Sequence, residues 1–392
     1  MVIKRKQMLA KLTRPRLYEA LPRKRLFRML DATSKQPLTW IAAPPGAGKT
    51  TLVASYLDVR NAPFFWYQMD TGDNDPATFF SYLVELAAQL KLPKKVKLPY
   101  LTLEHLEDVP GFARRFFRTL FSWFPPGGVL VLDNCQEVTN PTFYQLLAEV
   151  AQEAPEGVRI VVISRAQPPA ELARLKANHD IAELRWDELK LKEDEAGDIL
   201  RHKGIDNAER IAQIYCATDG WAGGLVLLSA QATTNTEPAA ISLSDKEAIF
   251  DYFAGQVLDR TRPAERQILL KTAFLPQVTP EEAVALSGDP SAPKVLDQLY
   301  RHQYFTDRRT EPQLSYRYHD LNNRLMYRTP IRAWDHAARY SLRKDYSRYS
   351  SFDENPMSRN CDSDRRIQRL RISFSQSMSW RCTASAEGSV SK

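Results

Sequence analysis

The chain has 392 residues, of which 43% are hydrophobic and 26% charged, giving room for two or three domains with ordinary buried cores. Its four cysteines (Cys135, Cys216, Cys361, Cys382) lie far apart with no C-x-x-C pair, which argues against a disulfide framework or a zinc site and suits a reducing cytosol. The net charge of +7 sits at the two ends, with about +9 on residues 1–30, +6 on residues 327–392 and −8 between them, so the body offers no electrostatic basis for binding DNA.

In chain order, residues 1–30 form a basic segment without the apolar stretch and cleavage site of a secretory signal. Residues 38–43 are a short apolar run that ends in Pro44-Pro45-Gly46-Ala47-Gly48, and helical spacing follows from Lys49 to Val59. Residues 64–69 form a second apolar run, stopping at Asp70 and a turn that reaches Pro76. Residues 77–90 carry apolar side chains at helical spacing, and 91–106 read as an irregular connection. A helix over 110–124, a strand over 129–132, a helix over 143–153 and a strand over 158–163 follow. Strands that are nearly continuous apolar runs, alternating with helices, predict a parallel sheet covered on both faces.

Strand signals fade after residue 187. Helices are predicted over 193–201, 207–218 and 220–232, then a polar linker over 233–237, and further helices over 244–258, 263–274, 279–287 and 292–302. A short hairpin from Tyr304 to Tyr318 completes a winged-helix pattern. Residues 327–392 hold thirteen Ser and eleven Arg against two Leu, with no sustained period, and disorder is expected there. The predicted architecture is α/β: a nucleotide-binding domain over 31–187, a helical domain over 188–243 and a winged helix over 244–326. No apolar run approaches the roughly 18 residues of a membrane span, so a cytoplasmic protein is expected.

The glycine loop carries the strongest chemistry. Small residues let the backbone of Ala43, Pro44, Pro45, Gly46, Ala47 and Gly48 wrap an anion with its N–H groups, while the following helix presents its positive N-terminus. In such a P-loop, Lys49 supplies charge to the β- and γ-phosphates, Thr50 ligates Mg²⁺ and Thr51 belongs to the same cradle. The expected ligands are therefore ATP or ADP with Mg²⁺. The run Val129–Leu132 ends in Asp133, an acid placed as these folds hold Mg²⁺, usually through water. The next residue is Asn134, whose amide cannot accept a proton from an attacking water; Glu137, one turn on, is the candidate substitute. Slow ATP hydrolysis at most is expected. Arg165, after the strand ending at Ile163, stands at the sheet edge where ligands bind, and can meet a γ-phosphate or be a plain surface arginine.

With Lys11–Pro15, Ala43–Thr51, Trp66–Asp75, Val129–Asn134, Ile163–Arg165, Gly220–Leu225 and Tyr318–Asp320 in this order, residues 11–326 resemble the STAND signalling ATPases, most closely the MalT-like large LuxR-type transcription activators. The resemblance implies a nucleotide-binding domain, a helical domain and a winged helix that close over ADP at rest and open, with self-association, in the ATP form. It makes Lys49, Thr50 and Asp133 the phosphate and Mg²⁺ residues, Arg165 a sensor arginine, and His319 the winged-helix histidine that reaches the β-phosphate. It places Arg23 and Arg25 near the base, whereas the residues themselves read rather as a solvated basic helix. Asp70 and Asp73 either tune the Mg²⁺ surroundings or cap a turn, and Trp221 reads as packing within the helical domain.

The family continues into a helical-repeat sensor and a helix-turn-helix, and neither pattern is visible here. The expectation is a truncated or frame-shifted product that keeps the switch, with direct DNA binding by this chain not expected. Two competing readings are an AAA+-like ATPase with steady turnover and a nucleic-acid-binding protein acting through its basic ends. Single-turnover assays against Lys49→Ala separate the first from a slow switch, and loss of salt-dependent DNA affinity on deleting 327–392 would mark the second.

Overall fold

A computed structural model describes residues 9–17, 20–88, 98–232, 262–272, 275, 277–301, 306–309 and 313–318. All belong to the first of two compact units, Met1–Ala333 and Trp334–Lys392. The predicted linker, the predicted helix over 244–258, His319 and the tail over 327–392 lie outside the described residues.

Five strands form a parallel sheet: β1 (Leu38–Ala42), β2 (Phe64–Gln68), β3 (Val129–Asp133), β4 (Arg159–Ser164) and β5 (Ile181–Leu184). Their order across the sheet is β2-β3-β4-β1-β5. Side chains alternate between faces along a strand, and this sheet uses both for core. Leu38, Trp40, Ala42, Phe65, Tyr67, Leu130, Leu132, Ile160 and Val162 join one hydrophobic cluster. Their neighbours Ile41, Trp66, Val129, Val131, Val161 and Ile163 join the other. Double burial explains why these strands read as unbroken apolar runs.

The first face is covered by α3 (Pro76–Ala87), α4 (Val109–Phe121), α5 (Pro141–Glu153) and α6 (Ala173–Ala177). Its centre is aromatic: the Phe80 ring stands edge-on to Phe112 and Phe116, with centroids 4.9 and 5.1 Å away. The second face is covered by α1 (Lys24–Ala32), α2 (Lys49–Arg60), the single turn α7 (Trp186–Leu189), and the helical module α8 (Glu193–His202), α9 (Ala208–Thr218) and α10 (Ala222–Ala232). Three further helices, α11 (Pro263–Thr272), α12 (Pro280–Ser287) and α13 (Ala292–Arg301), with the antiparallel pair β6 (Thr306–Arg309) and β7 (Ser315–Tyr318), surround a third core containing Leu269, Leu296 and Tyr316. This is the helices-then-hairpin order predicted for a winged helix.

Strand β5 has no counterpart in the sequence reading. It is four residues long, and Glu183 lies inside it, held by Lys176 at 2.7 Å and Arg185 at 2.9 Å. Neither length nor composition marks such an edge strand; its pairing with β1 over Leu38–Ile41 makes it one.

Helix α1 corrects another expectation. Leu26, Phe27 and Leu30 are buried, so the segment is not a freely solvated basic helix. Arg23 and Arg25 both reach Glu195 of α8, at 3.0 and 3.1 Å, and both donate to the Lys190 carbonyl. Burial of Arg23 lowers its pKa despite the attraction of Glu195. The described structure thus commits both arginines to tying the N-terminal segment to the helical module.

Truncating Phe80 to alanine removes a fully buried ring from the aromatic centre and is expected to cost about 3–5 kcal/mol of unfolding free energy. Chemical denaturation of the variant and the parent chain measures this.

Candidate functional site

The phosphate-loop geometry follows from two glycines. Gly46 and Gly48 take φ of +71° and +81°, conformations that side-chain-bearing residues rarely adopt. These two residues let the chain turn back after β1 and enter α2 at Lys49. No side chain caps that helix start. Its first-turn N–H groups therefore sit at the positive end of the helix dipole, an arrangement suited to an anion. Thr51 is exposed in that first turn.

The Lys49 ammonium folds into the loop, donating to the carbonyls of Ala43 at 2.6 Å and Pro44 at 2.9 Å. Burial lowers its pKa to about 7; the nearby charge of Arg165 pushes the same way, and Asp133 opposes both. Asp133 is buried at the end of β3, and its carboxylate accepts from Thr50 Oγ1 at 3.1 Å and from the Asn134 N–H at 2.9 Å. Burial raises its pKa, with Thr50, Asn134 and Lys49 pulling it down.

Strand order explains how these groups meet. β4 lies between β1 and β3, so the residues after Ile163 emerge between the phosphate loop and Asp133. Buried Ser164 holds the Ala166 N–H at 3.0 Å, and the Trp40 indole donates to the Ala166 carbonyl at 2.9 Å. The Arg165 N–H donates to Gln136 Oε1 at 3.0 Å. Gln136 Nε2 in turn reaches Glu137 at 3.3 Å and Asn134 at 3.4 Å. Asn134 adopts φ +64°, tolerated by asparagine, and starts the short turn carrying both. Lys49, Thr50, Asp133 and Arg165 therefore converge, with Glu137 joined through Gln136.

Other candidates have structural employment. Asp70 and Asp73 form a capping box, and Lys11 bridges them at 2.7 and 2.9 Å, while Asp73 accepts from the Tyr67 hydroxyl at 2.6 Å. That is the turn-capping alternative. Trp221 packs in a core with the helical module, as expected, and also reaches beyond it: its indole is fully buried and donates from Nε1 to the Pro45 carbonyl at 2.9 Å. Gln136 and the Trp221 contact were missed from sequence. A Gln after a strand end carries no mark, whereas the small residues Ala222-Gly223-Gly224 beside a tryptophan were a legible sign of close approach.

The residues fit a nucleoside polyphosphate with a divalent cation. Among the described residues no cluster of three His, Cys, Asp or Glu can hold a metal ion. A cation beside Thr50 and Asp133 would therefore need phosphate oxygens and water to complete its shell, as Mg²⁺ normally does. No described helix is long and apolar enough to cross a membrane.

The sheet, loop and strand-end acid define an α/β protein of the P-loop NTPase fold with helical and winged-helix parts. Residues 254–331 match the family model of the MalT winged helix domain, and residues 19–165 that of the nephrocystin 3 N-terminal region. The HTH-type transcriptional regulator MalT of Serratia proteamaculans (strain 568) is 27% identical over 321 residues, covering 80% of this chain and 35% of the regulator. The chain thus spans about a third of that relative. Among solved structures, the Walker-type ATPase of Pyrococcus abyssi has a TM-score of 0.54 at 14% identity, covering 78% of this chain and 95% of that one. The chain resembles the MalT-like STAND ATPases.

The lowered Lys49 pKa makes a prediction about stability. Its charged form is penalised in the folded, ligand-free chain, fully below about pH 7, and the penalty fades as pH rises toward the ordinary lysine value of 10.5. Thermal unfolding of Lys49→Met and the parent across pH 6 to 10 should therefore shift in the variant's favour as pH falls.

Proposed function

We propose that the chain is the adenine-nucleotide-dependent switch of a MalT-like transcription regulator, with Mg²⁺ as cofactor and slow hydrolysis at most. The observation that carries this reading is the Thr50–Asp133 pair beside a Lys49 ammonium folded into the loop at an uncapped helix start. Lys49 and the loop amides would hold the phosphates, with Thr50 and Asp133 on the cation side. Arg165, near enough to Lys49 to depress its pKa, would face the terminal phosphate.

Two features support a switch over steady turnover. Residue 134 is an amide and offers no general base. Glu137, the candidate in its place, lies beside Gln136, whose carbonyl oxygen holds the Arg165 backbone. Use of Glu137 as a base would therefore draw on the Gln136 contact that ties the turn after β3 to the end of β4. In this reading ADP favours a closed form and ATP an open, self-associating one, because a ligand shifts a conformational equilibrium only by its differential affinity for the two states. His319 is assigned to the closed form through the family resemblance alone.

Identification of the nucleotide released from purified protein tests the reading. Retained ADP is the expected result; failure of well-folded protein to bind any adenine or guanine nucleotide with Mg²⁺ present would overturn it. Lys49→Ala is expected to weaken MgADP binding about 100-fold, since it removes a charge-assisted contact from a low-dielectric site. Single-turnover assays should find ATP consumed slowly, with the slow phase absent in the variant.

Binding should also take up a proton. An ammonium with a pKa near 7 is partly neutral in the free chain at neutral pH, and polyphosphate raises that pKa. Calorimetry at pH 7.5 to 8 in buffers of different ionisation heat should show uptake, with affinity falling as pH rises above 7. Equal heats in all buffers would contradict the assignment of Lys49.

A further inference from the structure

The helical module grips the phosphate loop from behind. The Pro45 carbonyl accepts from Trp221 Nε1 at 2.9 Å, and the Gly46 carbonyl accepts from the Gly223 N–H at 2.8 Å. In a planar trans peptide the C=O and N–H point in opposite directions. Two carbonyls fastened on the side of the helical module therefore turn the N–H groups of Gly46 and Ala47 toward the side where Lys49 lies. The Ala47 N–H faces that side: it donates to the Pro44 carbonyl at 3.3 Å, the same oxygen that takes the Lys49 ammonium, and would exchange this bond for a phosphate oxygen without turning its peptide plane.

The packing is built for this contact. A Cβ on Gly46 would come within 2.9 Å of the Trp221 indole nitrogen, one on Gly223 within 2.9 Å of the ring, and one on Gly224 within 2.5 Å. Ordinary core packing asks only for apolar volume against the indole. Here three residues lack side chains where the ring meets two backbone segments, and the indole N–H is spent on a loop carbonyl.

We infer that Trp221 and Gly223 are positioning residues for the anion cradle, holding the peptide planes of Pro45–Gly46 and Gly46–Ala47 so that their N–H groups are aimed at a bound phosphate before it arrives. The inference rests on the proposed nucleotide site. Preorganised donors bind without first reorienting, so ligand and helical module are linked through the same two peptide planes. Phosphate in the cradle tightens the module's hold, and a loosened module weakens the cradle.

Trp221→Phe keeps a buried ring and removes the N–H. In the full chain it is expected to weaken MgADP and inorganic pyrophosphate by the same factor, about tenfold, because a buried acceptor left unsatisfied loosens the loop and not the base site. An unchanged affinity for both, with only a lower thermal midpoint, makes Trp221 a core residue and overturns the inference. A loss confined to MgADP assigns Trp221 to the base and overturns it equally. Amide exchange in the unmutated chain gives a second measurement that needs no variant to fold. Pyrophosphate and MgADP should both slow exchange of the peptide over residues 220–225, and ligand binding without that protection rejects the clamp. If the unmutated chain binds neither ligand, the nucleotide reading itself fails.

Discussion

Six residues, Ala43 to Gly48, must reverse the chain between a buried strand and a buried helix, and their peptide groups are held from two sides. Inside the turn, Lys49 takes the carbonyls of Ala43 and Pro44; outside it, the helical module takes those of Pro45 and Gly46. A backbone held this way cannot move at one carbonyl without disturbing the next, and the Pro45–Gly46 and Gly46–Ala47 planes each carry a donor rigidly opposed to the held acceptor. Gly46 contributes twice, once through its positive φ and once by making room for the Trp221 indole.

The electrostatics of the site follow from its burial. Desolvation pushes Lys49 down toward neutrality and Asp133 up toward its protonated form, and their mutual attraction only partly offsets this. Two charges in this state gain from counter-charges brought into the site, and a polyphosphate with a divalent cation supplies both signs. The strand between them adds a third charged group. Because β4 separates β1 from β3, Arg165 sits beside both elements and is coupled by Gln136 to the turn after Asp133.

The same strand end leads outward. Two residues past Arg165, the Gln167 N–H donates to the Arg301 carbonyl at 3.2 Å and its side-chain amide to the Tyr300 hydroxyl at 3.2 Å, both residues at the end of α13. On the other flank, Arg23 and Arg25 share Glu195. The N-terminal segment and the helical module meet the sheet's adjoining elements through a few polar contacts alongside apolar packing, and the winged-helix region, whose hydrophobic core is its own, meets the end of β4 through the polar contacts of Gln167. Such fastenings can be exchanged at modest cost.

The sequence alone was enough to identify the chemistry-bearing local units. A glycine loop between an apolar run and a helical one, followed by Lys49-Thr50, and an apolar run ending in Asp133, are properties of contiguous residues, and their spacing marks them. The alternating strands and helices and the terminal hairpin were legible for the same reason, since double burial writes itself as unbroken apolar runs. What joins distant segments was decided by tertiary structure. Edge strand β5 exists through its pairing with β1, because its own four residues contain a glutamate and too little apolar surface to mark them. Arg23 and Arg25 were readable as basic but not as partners of Glu195, some 170 positions away. Trp221 was readable as buried; that its N–H meets the Pro45 carbonyl, 176 residues earlier, depends on how α10 lies across the loop. Hydrophobic period reports which face of an element is covered, but the identity of the covering segment is fixed only when the elements pack.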